Sequence, residues 1–186
     1  MELFPALQLG LFNGWLLAAI FYLVLGILLV FFPKPVVARL YDRSAQRDPR
    51  VAHRVLGVLL FLAWLLLSIL TPLRHGDGVL WVGLAFYALG LTGFVVALFN
   101  YKNTPADQPV TSGVYRISRH PQQFMISVCF LGISIAMRSW IAFLLIAIGI
   151  IGAHYKVLAE EKACLQVYGE SYRNYMERVP RYFLVF

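Results

Sequence analysis

The residues best suited to chemistry in this chain lie near its end. Lys156-Val-Leu-Ala-Glu160-Glu161 sets a cation one helical turn ahead of two adjacent carboxylates, where the last long apolar run stops. Separations of four and five residues put Lys156 on one helix face with at least one of the acids. Tyrosines follow at Tyr168, Tyr172 and Tyr175, in a stretch ending Val179-Pro180-Arg181-Tyr182. Carboxylates at a membrane surface, backed by aromatic rings, can hold a charged cofactor against an apolar substrate.

A second group precedes these residues in the chain. Gly113-Val-Tyr115-Arg116-Ile-Ser-Arg119-His120-Pro121 closes a loop rich in proline and glycine and leads into an apolar stretch. Pro121 fits the first turn of a helix, where a missing N–H does no harm. By composition alone, Arg119 and His120 serve equally well as interfacial contacts to lipid headgroups.

These residues must be positioned by membrane helices. Of the 186 residues 60% are apolar and 13% charged, against roughly a quarter charged in soluble domains. The expected fold is all-α: a single integral membrane domain over residues 1–186, a polytopic bundle of about five spanning helices. They are placed at 9–32, 55–73, 79–99, 121–137 and 140–168. The first is read as a retained helix and not a cleaved signal, with Asn13 near its outer end. Residues 100–120 form a loop on the cofactor side, and 169–186 a C-terminal segment with a helical extension. Gly169 is a plausible cap for the last long helix.

Charge sets the orientation. The net charge of +7 is explained by topology and not by nucleic acid, because the basic residues cluster at the ends of apolar runs. If the connector Lys34–Arg54 is cytoplasmic, that side holds all Lys and Arg residues except Arg74 and Arg138. This predicts the N-terminus outside and the C-terminus in the cytoplasm, in a bacterial inner membrane or the endoplasmic reticulum. That connector reads as a topogenic loop, with contact to anionic lipid as the other reading. Cys129 and Cys164 have no metal-ligand spacing, no metal is expected, and the oligomeric state is open.

Taken together, Gly113-Val-Tyr115-Arg116-x-x-Arg119-His120-Pro121 and Glu160-Glu161-x3-Leu165-x2-Tyr168-Gly169-x2-Tyr172-x2-Tyr175-x3-Val179-Pro180-Arg181-Tyr182 resemble the isoprenylcysteine carboxyl methyltransferases and phospholipid (phosphatidylethanolamine) N-methyltransferases. The likeness runs from about Gly90 to Tyr182 and is absent from the first two helices. It implies S-adenosyl-L-methionine in a cytoplasm-facing pocket walled by Gly113, His120, Pro121, Glu160, Glu161, Tyr172 and Arg181. A lipophilic substrate would enter sideways from the bilayer. Carboxylates suit the cofactor's ammonium and ribose, and cations such as Arg119 or Arg181 suit its carboxylate. Lys156, Glu161 and Arg119 are the candidate catalytic residues, Lys156 orienting a substrate carboxylate or lowering a thiol's pKa. His154 is a weaker candidate as a proton acceptor. Gln123 stands where relatives carry an aromatic, and Lys156 where the carboxyl methyltransferases often carry Arg.

The expected activity is methyl transfer to an isoprenylcysteine-like carboxylate, a phospholipid amine or a small thiol. Two other readings stand beside it. Membrane sterol reductases look similar over this half and hold NADPH, whose phosphates call for cations more than an acidic pair. A non-enzymatic ligand-binding or transport protein would place ionisable residues at mid-membrane, whereas here they lie at the interfaces.

Overall fold

The structure, a computed structural model, describes residues 1–3, 5–42, 51–74, 76 and 78–183, with residues 51–53 as backbone only. Arg43, Arg47, Asp48 and Arg50 of the basic connector, His75 and Asp77 of the following turn, and residues 184–186 lie outside it. The described residues form seven α-helices and no strand. They are α1 (Gly14–Phe31), α2 (Lys34–Tyr41), α3 (Val51–Leu70), α4 (Gly78–Lys102), α5 (Pro121–Ala136), α6 (Trp140–Tyr168) and α7 (Glu170–Arg178). A 3₁₀ turn over Gly113–Arg116 precedes α5. This is the all-α bundle that the long apolar runs require.

Three helices, α1, α4 and α6, are long and apolar enough to cross a membrane; residues 54–70 of α3 and the 16-residue α5 are apolar but shorter. Large apolar side chains remain exposed around the bundle, among them Val30, Leu59, Trp81, Leu89 and Ile151. An outward-facing apolar surface of this kind suits lipid, which leaves the backbone satisfied within each helix.

Several boundaries differ from expectation: α3 is Val51–Leu70 where 55–73 was expected, and α4 runs on to Lys102, into the expected loop. Residues 9–13 are not helical: Asn13 is fully buried, and its side-chain amide donates to the carbonyls of Gln8 (2.6 Å) and Ile69 (2.7 Å). Gly14 N–H donates to Thr71 O and Leu73 N–H to Phe12 O, so this stretch lies extended against the exit of α3. Asn13 is therefore a structural clamp and not a peripheral polar residue. In the Lys34–Arg54 connector, the sequence Lys34–Tyr41 folds as α2 because Pro35 fits the first turn of a helix. Arg39 on α2 then donates to Thr104 O, Pro105 O and Gln108 O at 3.1–3.2 Å and lies over the Tyr101 ring, pinning the loop after α4.

The core is aromatic. Phe130 of α5 meets Phe21 at 5.3 Å and Trp64 at 4.9 Å between ring centroids, while Phe21 meets Phe94 at 5.2 Å. Two of the buried polar groups in it are matched across helices: Trp64 Nε1 donates to Ser134 Oγ (2.9 Å) and Tyr87 OH to Leu17 O (2.8 Å). The closest helix pair is α4 with α5. There Gly90 lies on the backbone of Cys129 and Gly132 on that of Tyr87, and a Cβ at either would come within 2.5 Å of a backbone nitrogen. The smallness of Gly90 is thus a packing requirement.

Gly132→Ala is expected to destabilise the folded chain by about 1–3 kcal/mol through overpacking. Gly149→Ala, where the added methyl meets open space, should not lower the thermal midpoint in detergent, since alanine is the better helix former. An equal effect of the two would remove the close α4–α5 approach as the cause.

Candidate active site at the α5–α6–C-terminal junction

Pro121 opens α5 and is fully buried, so the residues before it are drawn into the protein with it. Ser118, Arg119 and His120 are all buried. The backbone is tied across the junction: Arg119 N–H donates to Pro180 O (2.9 Å) and His120 N–H to Arg181 O (3.3 Å). Ser118 Oγ donates to Arg181 O (3.0 Å). Val179 and Pro180 run extended past the end of α7, which presents these carbonyls sideways.

Glu161 lies at the centre of the junction, with its side chain 4% exposed. Arg119 Nε donates to Oε1 at 2.9 Å. Arg181 forms a fork, Nε to Oε1 and Oε2 at 3.1 Å each and Nη2 to Oε2 at 2.8 Å. His120 Nε2 stands 3.3 Å from Oε1; an ionised carboxylate only accepts, so this nitrogen carries the hydrogen. Arg119 also donates through Nη1 to Met176 O (2.8 Å) and Val179 O (2.7 Å). One carboxylate thus holds the head of α5, the polar end of α6 and the segment after α7.

The apolar part of α6 ends at Tyr155, and Glu161 stands beyond it. Burial alone would raise its carboxyl pKa. Hydrogen bonds from His120 and Arg181 and the charge of Arg119 outweigh burial and hold it down at about 2. Glu160, on the neighbouring face, is 48% exposed and lies 3.9 Å from His120 Nδ1. Around this pair the phenol of Tyr182 is pushed up by burial, and that of Tyr175 likewise.

The remaining expected residues divide. Lys156 is exposed on the same face as Glu160 and is not brought to the Glu161 cluster. Tyr172 is buried against Tyr175, with ring centroids 5.7 Å apart, in the small core joining α7 to α6. Gly113 starts the 3₁₀ turn at a φ of 60°, tucked against Asn100, whose side chain accepts from Val114 N–H. Gly169 ends α6 and begins α7 with a φ of 55°. Gln122, and not Gln123, is tied to this region, donating to Tyr115 OH at 2.8 Å. His154 Nδ1 lies 3.1 Å from Tyr182 OH, so the last aromatic of the motif stands between His154 and His120. Ser118 and the carbonyls of Met176 and Val179 were not singled out from the sequence. A serine just ahead of Arg-His-Pro, where side-chain oxygens cap helix starts, was the available signal.

The family model for phospholipid methyltransferase matches residues 52–171. The chain belongs to the phospholipid methyltransferase family. No curated protein and no solved structure matches it. The family match contains Arg119, His120, Pro121, Glu160 and Glu161. It begins in α3, well ahead of Gly90, so the expectation that the first two spans carry no likeness is corrected for α3. The reason is visible in the packing: α3 runs along α6 and locks α5 through Trp64. The match stops at Ser171, and Arg181 joins the site through its fork to Glu161 and not through the match.

Arg119→Met removes a charge that faces buried Glu161 and frees two carbonyls; a loss of about 3 kcal/mol is expected. Amide protection over 170–182 should fall with it, measured by hydrogen exchange. A carboxyl depressed in the folded state stabilises that state fully above its unfolded value of 4.5 and ceases to do so as pH falls through about 2. Protection of the same segment, corrected for intrinsic exchange, should therefore hold from about pH 8 to about pH 5 and decline progressively from there toward about pH 2.

Proposed function

We propose that the chain is an S-adenosyl-L-methionine-dependent methyltransferase of a membrane, multi-pass with its site facing the cytoplasm. Its acceptor is a lipophilic or amphiphilic molecule: a phospholipid amine, an isoprenylcysteine-like carboxylate or a small thiol. The observation that carries this reading is the convergence of Arg119, His120 and Arg181 on Glu161 at the polar end of the last apolar helix, in a chain of the phospholipid methyltransferase family.

The residues fit the cofactor. Glu161 has its oxygens filled by the chain's own donors, whereas Glu160 is half exposed and open to accept from an ammonium or ribose hydroxyls. Arg181 uses Nε and Nη2 on Glu161, which leaves Nη1 to donate to a carboxylate. A half-exposed carboxylate beside the cations suits a zwitterion better than a polyphosphate, which favours this cofactor over NADPH. His120, Pro121, Tyr172 and Gly113 shape the surrounding wall.

When bound, S-adenosyl-L-methionine supplies a methyl group on an electrophilic sulfonium. The chain aligns the acceptor and excludes water. Glu161 and Arg119 act as positioning residues, because the first orders three donors and the second fastens the C-terminal segment. Lys156, exposed at the end of the apolar part of α6, orients an acceptor's anionic group as it arrives from the bilayer. His154, held by Tyr182, lies at the same boundary.

The test is equilibrium binding of S-adenosylhomocysteine, and separately NADPH, to the detergent-purified chain. Micromolar S-adenosylhomocysteine binding is expected, weakened about tenfold in Glu160→Gln with an unchanged thermal midpoint. Binding should be lost in Glu161→Ala and His120→Ala, with a lowered midpoint in the first. NADPH binding in place of S-adenosylhomocysteine would move the protein to the reductases. Binding of neither would reduce the likeness to one of fold.

A further inference from the structure

A second concavity lies outside the Glu161 cluster. It is a cleft of about 550 Å³ between the 3₁₀ turn and α7, with Arg116 and Thr111 on one side and Ser171, Asn174 and Arg178 on the other. Tyr175 and Val179 complete its lining. We infer that this cleft seats the phosphate of an anionic lipid headgroup.

The charge balance comes first. Arg39, Arg74, Arg119, Arg173 and Arg181 each have a hydrogen-bond or ion-pair partner. Arg116 and Arg178, by contrast, are exposed and have no hydrogen bond or ion pair among the described residues. Two uncompensated guanidinium groups lining one concavity concentrate positive potential there. Their planar forks match the oxygens of a phosphate, and Thr111, Ser171 and Asn174 add neutral donors.

The walls are fixed before any ligand arrives. Tyr175 OH donates to Tyr115 O at 2.7 Å, joining α7 to the 3₁₀ turn inside the protein. From the opposite side, Arg119 holds the carbonyls of Met176 and Val179. A seat built in this way loses little freedom on binding.

The lipid source follows from the surroundings. Ile117, beside Arg116, is 53% exposed, and four residues later the chain enters the apolar helix α5. Arginines that flank an apolar helix lie at headgroup level, where anionic lipids supply the phosphate. The cleft backs onto the Glu161 cluster across Val179, so a headgroup held there lies on the far side of that residue from the proposed cofactor. The inference uses the membrane setting but not methyl transfer.

The experiment follows hydrogen exchange over residues 171–179 of the full chain in neutral detergent. Dihexanoylphosphatidylglycerol and inorganic phosphate are titrated separately. The lipid should slow exchange, and the double variant Arg116→Gln/Arg178→Gln should weaken that effect about tenfold or more. The same variant should keep its thermal midpoint, because neither side chain has a partner to lose among the described residues. Arg178→Lys, which keeps the charge without the fork, should fall between native and double variant. Equal protection by inorganic phosphate would overturn the lipid source. No protection by either, or a double variant that responds like the native chain, would overturn the site itself. Whether S-adenosylhomocysteine binds does not alter these outcomes.

Discussion

A single buried carboxylate organises the C-terminal junction of this protein. Glu161 is ionised and almost without solvent, a state that costs far more than a fold can spare unless opposite charges come with it. Those charges come from 42 residues upstream and 20 downstream. Bringing Arg119 in carries His120 and Pro121 with it, and bringing Arg181 in fastens the chain after α7. The backbone bonds between 118–120 and 180–181 are then made almost in passing.

The scaffold supplies a rigid base for that arrangement. Glycines bring α4 and α5 into backbone contact, an aromatic cluster locks α5 against α1 and α3, and the extended segment before Gly14 seals the end of α3. Arg39 on the surface helix α2 holds the loop after α4 down. The head of α5 is therefore held from behind, while its partners on and after α7 are held by the site together with the small core of Tyr172, Tyr175 and Val179 against α6. The two halves of the junction meet at Glu161.

Local signals explain what was legible in the sequence. The apolar run up to Tyr155, its polar continuation and Gly169 define α6 as Trp140–Tyr168, and Pro121 marks the first residue of α5. Arg119, His120, Glu161 and Arg181 were legible as a set, and three of them do meet on the fourth. The division of labour between Glu160 and Glu161 was not. Adjacent residues on a helix point about 100° apart, so one acid faces in and one out, but only the distant partners decide which. The same holds for Asn13: its type suits a helix end in water, and its burial depends on carbonyls at Gln8 and Ile69 that local pattern does not reveal. The capture of Met176 and Val179 carbonyls by Arg119 is likewise a tertiary event with no periodic trace.

The shortness of α5 has a consequence for the bilayer. Sixteen residues rise about 24 Å, some 6 Å less than a typical hydrocarbon core of about 30 Å. Polar groups stand at both ends of this helix, with Arg119 and His120 at one and Arg138 and Ser139 at the other, and they resist being drawn into hydrocarbon. If α5 crosses the bilayer, as its sequence leads one to expect, the lipids around the bundle would shorten or tilt to meet it, at a fraction of a kcal/mol per Å. In the proposed membrane enzyme such a dimple would lower the headgroups locally toward the Arg-His-Pro end, so that thinning of the bilayer, and not extraction of a lipid from it, would bring an amphiphile's polar head level with the candidate site.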